Sequence, residues 1–492
     1  MSVLPTAFHT AQQVRDMDRW AIERLGIPGY TLMTRAGEAA LDLIVEAWPE
    51  ARRLLVLCGS GNNAGDGYVV ARLARAAGLE VTLASLSDPS RLGGDAARAH
   101  ADFLAHGGQA REFDASLLPE ADLVVDAMLG TGLDREVRGA YARCIDAVKA
   151  AARPVLALDV PSGLHADSGA TMGRAVRADR TITFVGLKAG LVLGDGPDLV
   201  GMLSFAGLGV PQDAGGMATV MRRIDAADAA RVLPRRRRAA HKGENGRVLV
   251  VGGGPGMPGA ARLAAAAALR AGAGLVTVAT RAEHVAAIVA GRPEIICHAI
   301  GSARELEALL AQTDVIALGP GLGRGEWSQA MFEAALAAGK PVVVDADGLN
   351  LLAAGQRRRD DWILTPHPGE AARLLGRSPA EVQADRLGSV RALVDRFGGV
   401  AVLKGAASLV LGPSGLPWVC TAGNPGMATA GMGDVLTGVV AAVWAQHRDA
   451  EAAAAVGVLV HAAAGDLAAR GGERGLLATD VIDRLRECVN PA

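Results

Sequence analysis

Aromatic residues make up only 3% of this 492-residue chain. That is too few for the stacking platforms that single-stranded nucleic acid requires. A formal charge of −2 supplies no basic field for a polyanion either. The cysteines, Cys58, Cys144, Cys297, Cys420 and Cys488, lie far apart with no CxxC pair. This excludes a zinc ribbon and a disulfide framework and suits a reducing cytoplasm. The start, "MSVLPTAFHT", has neither a basic segment nor an apolar core, so no signal peptide is expected. The most apolar stretch, "AAAAVGVLVHAAAG", is interrupted by His461 and reads as a buried helix too short to cross a bilayer. No GxxxxGK[ST] loop occurs, which argues against a Walker-type ATPase. Lysine is scarce beside arginine: Lys149, Lys188, Lys242, Lys340 and Lys404 are the whole set. A cytoplasmic enzyme without nucleic-acid or membrane partners is the class left standing.

The length favours more than one domain. After two helical patterns, "TAQQVRDMDRWAIERLG" and "YTLMTRAGEAALDLIVEAW", short apolar strands alternate with helices: "RLLVLCG", "LEVTLASL", "DLVVDAM", "RPVLALDV" and "RTITFVGLK". Such alternation predicts a parallel sheet covered on both faces, with ligands at the carboxyl ends of its strands. The pattern stops at "LPRRRRAAHKGENG", where Arg235–Arg238 follow Pro234. This run reads as a solvated linker or as a patch that contacts phosphate. The alternation then restarts at "GRVLVVGGG" and ends in alanine-rich helices. Two α/β domains are expected, over residues 1–230 and 231–492.

The stretch "CGSGNNAGDG", Cys58–Gly67, fits a dinucleotide-binding GxGxxA turn. The acidic partner that such a turn wants at the end of the next strand is missing, because "LEVTLASL" ends in Leu-Ser. Asn62, Asn63 and Asp66 are surplus to a phosphate turn and offer oxygens for a cation. They read equally as a polar strand-to-helix turn, with Asp66 favouring the helix dipole. Two further strand ends carry carboxylates, Asp126 in "VVDAMLGTGLDRE" and Asp159 in "LALDVPSGLHADSG". Converging charges of this kind are costly unless they are paired or bind a ligand.

In order, "GNNAGDG", "DAMLGTGL", "LDVPSG" and "TITFVGLKAGL" resemble the YjeF N-terminal family, epimerases of hydrated NADH and NADPH. The resemblance implies a Rossmann-like α/β/α sandwich with a K⁺ site formed by Asn63, Asp126 and Ser162. It places substrate against Asn62, Asn63, Ala64, Gly65 and Asp66, and against Gly130, Thr131, Gly132, Leu133, Asp134, Arg135 and Glu136. Asp159 would meet the hydrated nicotinamide, with acid–base assistance at C6 or only a structural role in its turn. Ala64 stands where the family usually has glycine. The methyl matters only if that backbone needs a positive φ; inside the first turn of a helix it is harmless.

In the second half, Gly431-Met432-Gly433-Asp434 precede an apolar helix, so backbone N–H groups face outward beside a carboxylate. That pairing suits phosphoryl transfer, with Asp434 accepting a hydroxyl proton, or a dipole-serving acid. This segment, with "LKGAAS", "LTPHPGE" and "VDADGLN", resembles the ribokinase-like YjeF C-terminal family, ADP- or ATP-dependent NAD(P)H-hydrate dehydratases. The resemblance implies nucleotide contacts from Lys404, Gly405, Ala406, Ala407, Ser408 and Gly433, with Mg²⁺ accompanying ADP or ATP. Ala260, Gly323, His367 and Asp434 would meet the hydrate, although His367 between two prolines also reads as a turn residue. Ala430 is a second departure from a family glycine. A fused epimerase and dehydratase, active as a homo-oligomer, is the expected whole. The alternative is a ribokinase-like kinase of a vitamin precursor with a non-catalytic, nucleotide-binding first domain.

Overall fold

The structure, a computed structural model, describes residues 4–355 and 357–490. The chain forms two compact units that divide between Met221 and Arg222. The division falls ahead of the arginine run because Arg222 and Arg223 pair in parallel with Trp418 and Val419. The helix Ala226–Val232, closed by a capping box between Asp225 and Asp228, also belongs to the second unit.

The first unit is built on seven parallel strands: β1 (Arg53–Cys58), β2 (Glu80–Ser85), β3 (Ala110–Glu112), β4 (Leu123–Ala127), β5 (Val155–Leu158), β6 (Arg180–Phe184) and β7 (Met202–Ala206). Their order, 3-2-1-4-5-6-7, reverses direction of growth between β1 and β4. A ligand crevice opens at such a switch point, outside the carboxyl ends of the strands. The inner strands read as unbroken apolar runs, as burial on both faces demands; every residue of β4 is buried, Asp126 included. Helices Ala11–Arg24 and Gly29–Ala47 form over the two predicted amphipathic patterns.

The second unit orders β8 (Arg247–Val251), β9 (Leu275–Thr280), β10 (Ile296–Ala299), β11 (Val315–Leu318), β12 (Val342–Val344), β13 (Trp362–Leu364), β14 (Val400–Leu403), β15 (Ser408–Leu411) and β16 (Trp418–Cys420) as 10-9-8-11-12-13-14-15-16. Strands up to β14 are parallel, and β14–β15–β16 form an antiparallel meander. Alanine fills this core in place of aromatics because its helices approach closely. Helix Pro258–Arg270 packs on helix Met432–His447 so tightly that a Cβ on Gly438 would lie 2.0 Å from the Ala264 carbonyl oxygen.

One expectation is corrected. The stretch around His461 belongs to helix Ala450–Ala468, which is long and apolar enough by length and composition to cross a membrane. Burial rather than shortness marks it as a core helix. It packs against helices Met432–His447 and Ala478–Cys488, and burial pushes the His461 imidazole down to about 4, holding it neutral.

Candidate active sites

In the first unit, helix Asn62–Ala76 starts directly after β1, with Gly61 as its N-cap in extended conformation. Gly59 is required here: a Cβ would lie 1.9 Å from the Met128 carbonyl oxygen, so only glycine lets the loops after β1 and β4 meet. Ala64 is the third residue of the helix, fully buried and not among the positive-φ positions, so its methyl group is accommodated without strain.

These loops wall a cavity of about 500 Å³. Asn62, Asn63, Asp66, the run 130–135 and Asp159 line it. Ala64, Gly65 and Glu136 do not. Gly65 packs on Met33 and Ala96, and Glu136 pairs with Arg138 at 2.6 Å. Asp126 and Ser162 lie behind the cavity wall. Asp126 is 1% exposed and accepts from Ser162 Oγ at 2.6 Å, Ser162 N at 2.8 Å and Met128 N at 3.2 Å. Burial outweighs these bonds and raises its carboxyl to about 6. Asn63 donates Nδ2 to the Leu129 carbonyl at 3.1 Å, while its buried Oδ1 has no partner among the described residues. An orphaned amide oxygen, a buried carboxylate and a serine hydroxyl are oxygen donors of the types that fit a hard monovalent cation.

Asp159 holds φ at +64°, a conformation that costs a non-glycine residue about 1–2 kcal/mol. Three donors stabilise it on one oxygen. Thr183 Oγ1 bonds Oδ1 at 3.1 Å, Phe184 N at 3.3 Å, and Lys188 Nζ makes an ion pair with it. Lys188 is 1% exposed and also donates to Thr183 Oγ1 at 3.1 Å and the Phe184 carbonyl at 2.9 Å. Of the further carboxyls that line the cavity, two are raised above their ordinary value, and sequence reasoning missed one of them. Asp18, from helix Ala11–Arg24, is raised to about 6 by burial, with Asp159 adding and Lys188 opposing. Asp66 lies well above the usual carboxylate range, through burial and then the charges of Asp159 and Asp18.

In the second unit Gly431, at φ +87°, opens helix Met432–His447. The first helical bond runs from Val435 N to Gly431 O at 3.0 Å, so the earlier N–H groups are free of the helix ladder. Beside them lies a buried charge network. Asp345, 1% exposed, accepts from Lys404 Nζ and from Thr437 Oγ1, each at 2.7 Å. Lys404 also reaches Glu370 at 3.7 Å. Burial alone would lower Lys404, yet Asp345 and Glu370 hold it above its ordinary value. Asp434 is raised to about 7 by burial and by Asp345, against the pull of Lys404. A Cβ on Gly433 would lie 3.4 Å from both Asp345 Oδ2 and Lys404 Nζ, which puts this glycine against the pair.

Gly323 joins the cluster through its N–H bond to Asp347 at 2.8 Å, and Ala260 packs at the same loop, against Gly321. His367 caps helix Pro368–Leu375 and contacts Glu370 at 3.6 Å; burial lowers its pKa. Residues 404–408 make the turn between β14 and β15. Buried Arg386 holds this turn by donating to the carbonyls of Leu403, Lys404 and Ala407 at 3.2, 3.3 and 3.0 Å. Asp345, Glu370, Thr437 and Arg386 carried no assignment in the sequence reading; strand-end position marks the first, and nothing local marks Arg386. Ala430 is exposed, outside the helix. Two of the four linker arginines take structural partners: Arg237 pairs with Glu244 at 2.8 Å and Arg236 bonds Gln446 at 2.7 Å.

Comparison with known proteins agrees with both halves. Residues 29–190 match the family described as YjeF-related protein N-terminus, and residues 248–487 match NAD(P)H-hydrate dehydratase. The bifunctional NAD(P)H-hydrate repair enzyme of Coxiella burnetii is 46% identical over 99% of this chain and 100% of its own length. The chain belongs to this family. The corresponding Escherichia coli enzyme is 45% identical over 99% of this chain and 95% of its own. A ribokinase-like superfamily protein of known structure from Enterococcus faecalis aligns with 55% of the chain and 95% of its own length, at 29% identity and a TM-score of 0.51. Kinship along the full length of bifunctional repair enzymes sets aside the vitamin-precursor kinase with an idle first domain.

Proposed function

We propose that residues 1–230 interconvert the two C6 epimers of hydrated NADH and NADPH at the Asp159 cavity, and that residues 231–492 dehydrate one of them at Asp434. The observation that carries this is Asp434: a carboxyl poised near neutrality beside the open start of a helix. A general base works best with its pKa near the operating pH, and helix N–H groups stabilise charge on a phosphoryl group. Hydroxide leaves carbon poorly and phosphate leaves well. Asp434 takes the proton of the C6 hydroxyl as the hydroxyl oxygen bonds the terminal phosphorus of ADP or ATP; the bond from that phosphorus to its bridging oxygen breaks, and AMP or ADP leaves. The C6–O bond then breaks with loss of a C5 proton, releasing phosphate and restoring the double bond of NAD(P)H. Lys404 and the 404–408 turn sit where nucleotide phosphates would be held, with Mg²⁺ as their counterion. Ala260, Gly323 and His367 line the hydrate side. In the first unit K⁺ would rest on Asn63, Asp126 and Ser162, ordering the loops that carry Asn63 and Gly130 against substrate.

Five free thiols suit the cytoplasm. Exposed Leu25, which ends the first helix, and Val45 on the second support a homo-oligomer, which sedimentation equilibrium tests. The deciding assay mixes the full chain with hydrated NADH and either ADP or ATP. Absorbance at the reduced-nicotinamide band should return with one phosphate released per turnover. Return without phosphate release refutes the phosphoryl route.

A further inference from the structure

Inversion at C6 asks for more than one carboxylate. The carbon bears a hydroxyl and the ring nitrogen N1, and it changes hand if water leaves from one face and returns on the other. Departure requires a proton on the leaving oxygen, and return requires a base for the incoming water.

Three carboxyls, Asp18, Asp66 and Asp159, line the cavity of the first unit together with one buried ammonium, Lys188. Asp95 and Asp134 line it too, but Asp95 lies against Gly29 and Asp134 is exposed. One ammonium balances one carboxylate, and geometry decides which. Lys188, Thr183 and Phe184 N all converge on Asp159 Oδ1. Asp18 accepts no hydrogen bond from any described residue. Burial then favours the neutral form of the carboxyls that Lys188 does not hydrogen-bond, its more distant charge opposing this only in part. A buried carboxyl without hydrogen-bond partners, facing a carboxylate held by an ammonium, is an arrangement that acid–base chemistry uses.

We infer that Asp18 is a second catalytic residue of epimerisation, exchanging one proton with Asp159 through the substrate hydroxyl. This rests on the epimerase reading of the first unit. In one direction the Asp18 carboxyl protonates the C6 hydroxyl. The C6–O electron pair leaves with water, and the N1 lone pair forms a C6=N1 iminium. Water then adds from the other face, the iminium electrons return to N1, and Asp159 takes the released proton. The reverse direction restores both groups, so no oxidant or co-reactant is consumed. Lys188 is a positioning residue that holds the Asp159 carboxylate in place through their ion pair. Asp66 is the less suitable partner: burial raises its carboxyl well above the ordinary carboxylate range, so it gives up a proton less readily.

The experiment uses the full chain without ADP or ATP and follows interconversion of separated epimers of hydrated NADH by chromatography. Asp18→Asn should slow interconversion by about a hundredfold or more, while ADP-dependent dehydration of the correct epimer stays unchanged. Asp18→Glu should recover part of the rate, which a merely structural role would not predict. The wild-type rate should fall as pH rises from 6 to 8, and that limb should be lost in the Asn variant. Asp18 titrates there facing Lys188, Asp159, Asp66, Asp95, Asp134, Arg135 and Arg15 of its own helix. In H₂¹⁸O each inversion should place one solvent oxygen on C6. Retained oxygen, an unaffected Asn variant, or loss only in Asp66→Asn overturns the inference. Absence of interconversion by the wild-type chain refutes the epimerase reading instead.

Discussion

Replacing Asp434 by asparagine should stabilise the second unit while stopping dehydration. Asp434 stands at about 7 in the folded chain against an ordinary 3.8. Between these values the folded state keeps a proton that the unfolded chain has lost, so stability falls as pH rises. The gap of about 3 pH units, at about 1.4 kcal/mol each, comes to about 4 kcal/mol above pH 7. Partial exposure of the side chain brings this toward about 2 kcal/mol. Asparagine does not titrate, so its advantage should be near zero at pH 4, grow mainly between pH 4 and 7, and level off by pH 8. Urea unfolding at pH 4.5, 6 and 8 measures it, followed by tryptophan fluorescence, with Trp444 buried on the same helix. Dehydration should drop by about 10²–10⁴-fold, the usual loss on removing a general base. A variant less stable than wild type at pH 8, a difference that ignores pH, or retained activity would each refute the assignment.

Lys404→Met leaves Asp345 and Glu370 buried without their cation and should cost the second unit about 3–5 kcal/mol. Because Glu370 is already raised, lowering the pH should protonate it and shrink the loss, so denaturant midpoints at pH 5 and 8 check the sign. Ser162→Ala removes a proposed cation ligand and a hydrogen bond to Asp126. Thermal melts of the wild type should rise with KCl over tetramethylammonium chloride at equal ionic strength, and this difference should vanish in the variant. Ala64→Gly should cost the first unit about 1 kcal/mol in urea unfolding, the helix-interior price of glycine, with epimer interconversion unchanged.

Much of this was legible in the sequence. Strand–helix alternation announced both sheets, and Gly59, Asn63, Asp126, Asp159 and Asp434 were marked by their place after strands or before a helix. The partners were harder to see because they arrive from distant elements. Asp18 lies on an ordinary amphipathic helix, and only folding brings it to Asp159 more than a hundred residues away. Asp345 and Lys404 meet across two strand ends, and Arg386 reaches its turn from the first position of helix Arg386–Phe397. The meander β14–β15–β16 lacks the alternating signal of a half-exposed strand, since β15 and β16 are largely buried.

The burial of Lys188 and Lys404 has a practical consequence. Of five lysines, two are locked in ion pairs, whereas Lys149 and Lys242 are exposed and Lys340 partly so. Among the lysines, amine-directed reagents should therefore decorate only those three while the chain is folded. Surface immobilisation, fluorescent tagging and mass-spectrometric footprinting through lysine all become site-selective. Labelling of Lys188 or Lys404 would then report opening of the first or second unit, each from a single peptide.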